Sequence, residues 1–213
     1  CGMGATSKNT GKLTWMQGLI YSKLSKNYND SIAKLYLDSQ REAISIVRKI
    51  IDENKIDCHL TKTKSYVFSY TGNDYDKFND EVNFYKKYDI KYKLIDKLPF
   101  DYPCKYALET YDSYVFNPYE YLVGLKNLVK DKIDIYENTK IIKLTNNCAY
   151  TKNNKIKFNK VIIATHFPFI NRVGLYFMKL YQRRSYVVGL PYESVEGTYC
   201  SIDPNGLYFR SYG

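Results

Sequence analysis

Apolar positions recur at helical spacing over two long stretches of this chain and cluster into short runs elsewhere, a pattern that predicts mixed α and β structure. The longest periodic stretch carries Ile32, Leu35, Tyr36, Ala43, Ile44, Val47, Ile50 and Ile51. Asp30 or Ser31 is the expected cap, and the helix should end near Asn54. A short helix, or its lead-in, is expected over Gly18 to Leu24. A second clear helix is predicted from Asp74 to Tyr88, with Phe78, Val82 and Tyr85 on one face. A third follows Asn117-Pro118-Tyr119-Glu120: Asn caps, Pro suits the first turn, and Glu closes a capping box. That helix, roughly 118–131, should bury Tyr121, Leu122, Leu125 and Leu128. Strands are predicted over Lys64 to Tyr70, Tyr92 to Ile95, Ile133 to Tyr136 and Lys140 to Leu144. Two more flank the Asn153-Asn154 turn. Val161-Ile162-Ile163-Ala164-Thr165 reads as a strand buried on both faces. The tail from Tyr186 to Tyr212 reads as strands and turns, with Pro204-Asn205-Gly206 as a hairpin signal.

This order mixes segregated and alternating blocks. It fits an α/β plus α+β arrangement of two interleaved units better than one alternating fold. Residues 1–12 are rich in Gly, Thr, Ser and Asn and are expected to form a loop.

Composition narrows the function classes. The chain has 213 residues, 45% hydrophobic and 25% charged, the balance of a globular protein. The apolar run from Val161 to Ile170 is broken by Thr165, His166 and Pro168 and is too short for a bilayer, so no membrane partner is expected. Net charge is +10, but the lysines are dispersed and form no block of like charge. A Lys-rich solvated surface accounts for that, and no nucleic-acid partner is expected. A non-catalytic basic module for nucleic acid or a protein partner is the competing reading. The five cysteines are widely spaced with no CxxC pair, and the only histidines are His59 and His166. No metal site is expected, and the cysteine pattern suits reduced thiols in the cytoplasm. The chain begins at Cys1 rather than Met and stops just after an apparent strand, so an internal piece of a longer protein is expected.

The candidate chemistry starts in the first loop, Gly4-Ala5-Thr6-Ser7-Lys8-Asn9-Thr10-Gly11-Lys12. Small residues admit a ligand close to backbone, and hydroxyl, amide and N–H groups suit phosphate. The GxxxxGK[ST] phosphate loop is not matched, because Leu13 follows Lys12. Continued through Leu13-Thr14-Trp15-Met16-Gln17-Gly18-Leu19-Ile20, the stretch resembles the loop that lies against the flavin in the glycine/D-amino-acid oxidase family of FAD-dependent oxidoreductases. Phe116-Asn117-Pro118 through Tyr121 and Gly124-Leu125 resembles the segment before the helix that precedes that family's adenine-side strands. Tyr136 to Ile142 is similar to its adenine-contacting strand, and Val161 to His166 to the strand ending in Ala-Thr-Gly beside the cofactor. All four matches fall in the family's order.

The resemblance implies FAD as cofactor and hydride transfer from an amine or α-amino acid. Carried onto this sequence, it implies cofactor contacts at Gly4, Thr6, Ser7, Asn9, Thr10, Gly11, Lys12, Ile141, Ile142, Ala164, Thr165 and His166. It implies an Arg or Tyr grip on the substrate carboxylate, for which Arg184, Arg210 and Tyr186 are the candidates. No catalytic triad or paired-carboxylate site is singled out. The doubly wound FAD-binding part is expected at 1–60 and 132–173, and an antiparallel-sheet substrate part at 61–131 and 174–213. Two departures stand out. His166 replaces a Gly, and no strand–GxGxxG–helix unit occurs in these residues, so FAD retention by this segment alone is doubtful. The electron acceptor, a flanking Rieske domain included, stays open.

Overall fold

The computed structural model describes residues 1–167, 169, 174–191 and 193–211. Pro168, the expected boundary at 173 and the end of the tail fall outside the described residues. The chain divides into two compact units, Cys1–Val129 with Leu190–Gly213, and Lys130–Gly189.

The first unit is built on one mixed sheet. Its strands are β1 (Lys12–Leu13), β2 (Thr61–Ser69), β3 (Tyr92–Ile95), β4 (Tyr106–Val115), β8 (Thr198–Ser201) and β9 (Tyr208–Arg210). The order is β1-β4-β2-β8-β9, with β3 also on β4. All pairings are antiparallel except β2 with β8. The helices are α1 (Ile20–Asn27), α2 (Asp30–Asn54), α3 (Tyr75–Lys87) and α4 (Pro118–Val129).

Strand alternation sorts the side chains into two cores. Val67 and Leu108, register partners, face Tyr21, Leu37, Phe78, Val82 and Tyr85 from the helices. Tyr66, Phe68, Ala107 and Tyr199 face the other way and pack with Leu98, Phe100 and Tyr102. There the Tyr66 and Tyr199 rings stack at 4.7 Å. A third cluster joins the end of α2 to α4 through Ile51, Ile56, Cys58, Leu125 and Leu128.

Local chemistry sets the helix ends. Asn29, not Asp30 or Ser31, caps α2, accepting the Ile32 amide at 2.9 Å. A carboxylate from another helix caps α1: Glu81, wholly buried, accepts the Tyr21 and Ser22 amides at 3.3 and 2.7 Å. Asn117 caps α4 as expected, accepting from the Tyr119 and Glu120 amides. Glu120 accepts from or pairs with His59 Nδ1 at 2.7 Å instead of closing a capping box. The β8–β9 turn is tied to the end of β2 by Asp203. Its carboxylate accepts the Ser69 and Ser201 hydroxyls, the Tyr70 and Thr71 amides and the Thr71 hydroxyl.

The second unit contains a three-stranded antiparallel sheet, β5 (Lys143–Leu144), β6 (Cys148–Tyr150) and β7 (Lys155–Lys157), and the short helix α5 (Tyr176–Lys179). Asn153 and Asn154 make the β6–β7 turn, as the sequence predicts. Two predicted strands are corrected here. Ile133–Tyr136 and Val161–Thr165 form no strand, and Ile133, Tyr136, Val161, Ile162 and Ile163 are exposed. A strand requires a paired edge, and among the described residues neither segment has a strand neighbour. Lys140 to Leu144 shrinks to the two residues of β5 for the same reason. Among the described residues, no helix is long and apolar enough to cross a membrane.

Candidate functional site

The Gly4–Lys12 segment is a structured loop rather than a loose one. Ala5–Lys8 forms a 3-10 turn. The Asn9 side chain closes it, donating to the Thr6 carbonyl at 2.7 Å and accepting the Gly11 amide at 2.8 Å. Ser7 donates to the Gly4 carbonyl at 3.3 Å. Asn9 and Ser7 are thus engaged within the loop. Gly11 has φ +56°, and a Cβ there would lie 2.2 Å from the Phe116 carbonyl oxygen. Its missing side chain makes room for protein backbone, since Phe116 N donates to Gly11 O at 3.0 Å at the start of the β1–β4 pairing. Gly4 to Asn9 are exposed, and the Cβ direction at Gly4 opens onto free space.

Beyond the loop, the sheet brings its two edge strands, β1 and β9, within side-chain reach. Arg210 donates to the Gly11 carbonyl at 3.2 Å, and Lys12 Nζ donates to the Tyr199 carbonyl at 3.3 Å. The Lys12 ammonium also stands 5.5 Å from the centre of the Tyr208 ring. Burial, together with the nearby Arg210 charge, holds Lys12 below the ordinary lysine range despite the opposing effect of Cys200. Burial pushes the Cys200 thiol up, against the pull of Tyr208 and Lys12.

The same end of the sheet is lined with hydroxyls. Ser113 donates to Thr14 at 3.0 Å; Thr14 meets Ser65 at 3.2 Å; Ser65 meets Thr198 at 2.9 Å. Thr198 is the register partner of Arg210. This chain links β4, β2 and β8 to Thr14, the residue after β1. Sequence reasoning did not single out these hydroxyls, because they belong to no motif and their only signal is alternation with apolar neighbours such as Val67.

A cleft of about 660 Å³ opens on the helix side of the first unit. Leu19, Ser22, Lys23, Lys26 and Asn27 of the α1 region line it. Asp74, Lys77 and Asp80 at the start of α3, and Cys200, Ile202 and Tyr208 of the hairpin, complete it. Two lysines there are already paired, Lys26 with Asp80, and Lys77 with Asp74 at 2.7 Å.

The remaining candidates lie in the second unit. Ile142 is exposed, its amide donating to Tyr150 at 2.8 Å, and Ile141 is half-buried. Ala164, Thr165 and His166 are exposed, with His166 at φ +62°. Arg184 and Tyr186 are exposed in a segment without helix or strand. The structure therefore joins Gly11, Lys12 and Arg210 within one unit.

The loop's chemistry suits a phosphate-bearing cofactor such as FAD. Its Gly4–Asn9 part is exposed and open at Gly4, and the Thr6 and Thr10 hydroxyls have no hydrogen-bond partner among the described residues. No strand–GxGxxG–helix unit accompanies it in the sequence. The chain is 30% identical over 214 residues to a Bacillus subtilis (strain 168) protein bearing the name "Putative Rieske 2Fe-2S iron-sulfur protein YhfW". That match takes in 97% of this chain and 42% of the relative, so the chain spans less than half of that protein's length. No solved structure matches. The FAD dependent oxidoreductase (DAO) profile matches residues 1–213, and the chain belongs to that family.

Proposed function

We propose that this chain is part of a flavin-dependent oxidoreductase that oxidises an amine or α-amino acid by hydride transfer to FAD. The observation that carries this reading is the convergence of Arg210 on the Gly4–Lys12 loop, within a chain matched along its whole length by the family. When bound, FAD supplies the two-electron acceptor, and the protein supplies binding and orientation.

The residues that would hold the cofactor are Gly4, Thr6, Thr10 and the loop backbone in the first unit. Ile141, Ile142, Ala164, Thr165 and His166 are the second unit's own candidates for a cofactor contact. In this reading the doubly wound cofactor part takes in 1–60 and 132–173, and the substrate part 61–131 and 174–213. Arg210 meets the substrate carboxylate, since a guanidinium matches a carboxylate bidentately. Lys12 adds a second positive charge beside it, and Arg184 with Tyr186 form the other candidate grip. The 213 residues by themselves hold FAD weakly or not at all, because the glycine loop that presents a helix N-terminus to pyrophosphate is not among them. The relative's name motivates an iron–sulfur centre as the electron acceptor in the longer protein, and the widely spaced cysteines motivate a cytoplasmic location.

The test is Arg210→Met in the flavin-loaded protein. KM for the amino acid should rise roughly ten- to a hundredfold with flavin content unchanged, the loss of one charge-assisted hydrogen bond. Unchanged KM and kcat would remove Arg210 from the substrate face.

A further inference from the structure

The cleft between α1, α3 and the β8–β9 hairpin is larger than an amine or a simple amino acid needs. We propose that it receives the side chain of the substrate, and that the preferred substrate is an α-amino acid whose long, largely apolar side chain ends in an acidic group met by Lys23. This rests on the amino-acid oxidising reading above and deepens it.

Three observations carry the proposal. First, the cleft adjoins the candidate carboxylate grip. Cys200 and Tyr208 line it, and the Lys12 ammonium lies over the Tyr208 ring while Arg210 follows on the same strand. Second, its extent suits a long chain. The lining runs from Leu19 to Asn27, about 12 Å at the helical rise. Its volume, about 660 Å³, falls in the middle of the range for small-molecule sites. Leu19, Ile202 and Cys200 give apolar wall, and the Tyr208 ring a flat one. Third, its charges are unequally committed. Lys26 and Lys77 are neutralised by Asp80 and Asp74, and Asp203 is consumed by the turn network. Lys23 has no partner among the described residues and supplies the cation for a distal acid. The α1 N-terminus is not the anion site, because Glu81 already takes its Tyr21 and Ser22 amides.

Calorimetric binding of glycine, norleucine and 2-aminosuberate to the purified, full polypeptide that carries this sequence in the cell tests this, with flavin content measured separately by absorbance. 2-Aminosuberate should bind more tightly than norleucine by roughly three- to fivefold, the size of an exposed ion pair, and norleucine more tightly than glycine. Lys23→Ala should abolish the advantage of 2-aminosuberate over norleucine and leave norleucine unchanged. Leu19→Trp, which fills the cleft, should weaken both long ligands and spare glycine. Equal binding of the three, no binding, or an advantage that survives Lys23→Ala overturns the proposal. If flavin is retained in that case, the oxidoreductase reading stands; if flavin is absent and cannot be restored, that reading falls as well.

Discussion

Gly11 and Asp203 show how single residues set the geometry on which the site depends. At Gly11 a left-handed backbone coincides with a carbonyl 2.2 Å from where a Cβ would be. Gly11→Ala should therefore destabilise the fold by about 2 kcal/mol or more, read by denaturant unfolding, because strain and a clash with backbone add together. Its flavin content should fall only as far as folding does; full stability with lost flavin would assign Gly11 to the ligand instead. At Asp203 burial pushes the carboxyl up. The Thr71 hydroxyl, the Tyr70 amide and the Ser69 and Ser201 hydroxyls outweigh that and bring it down from 3.8 to about 2. The folded value is depressed, so this stabilisation is present above the ordinary carboxylate value and is lost as pH falls toward 2. Asp203→Asn should lose on the order of 2–3 kcal/mol near neutral pH and flatten the acid limb of the stability curve. Urea midpoints measured at a series of pH values check this. A midpoint that falls as steeply in the variant as in the wild type would show that another carboxylate governs that limb.

Elements were legible in the sequence where their own periodicity placed them, and illegible where a neighbour did. The positions of α2, α3, β2, β3 and the β6–β7 turn follow from spacing and turn residues alone. The strand β4 went unpredicted although it is central, because Glu109, Thr110 and Ser113 are buried there and break the apolar signal. Glu109 is accommodated by the Tyr66 hydroxyl at 2.9 Å and Lys64 at 3.4 Å, partners that only the register reveals. The converse holds at Val161–Thr165, where composition announces a buried strand and the described residues offer no edge to pair with. The contact of Arg210 with Gly11 was likewise beyond sequence reasoning, since it spans the whole chain and depends on the sheet's edges meeting. The cap on α1 comes from α3, and removing it tests that dependence. Glu81→Ala should leave the Tyr21 and Ser22 amides without their acceptor and open a cavity, costing about 2–4 kcal/mol. Amide hydrogen exchange should rise first in α1; protection lost evenly across the unit would mean that Glu81 supports the whole core and not α1 in particular.

In the whole molecule, family membership along the entire chain coincides with a loop whose Gly11 and Lys12 are met by β9 and β8. Binding and orientation are the protein's part in such chemistry, and in the proposed reading Lys12 and Arg210 meet the anionic end of the substrate. The central claim is that the protein works through a flavin. The most direct measurement is the visible absorbance spectrum of the polypeptide that carries this sequence in the cell, purified and then mixed anaerobically with candidate amino acids. The two-banded spectrum of oxidised flavin, bleached by an amino-acid substrate, is the expected result. A colourless protein whose spectrum does not respond to added FAD would contradict the account.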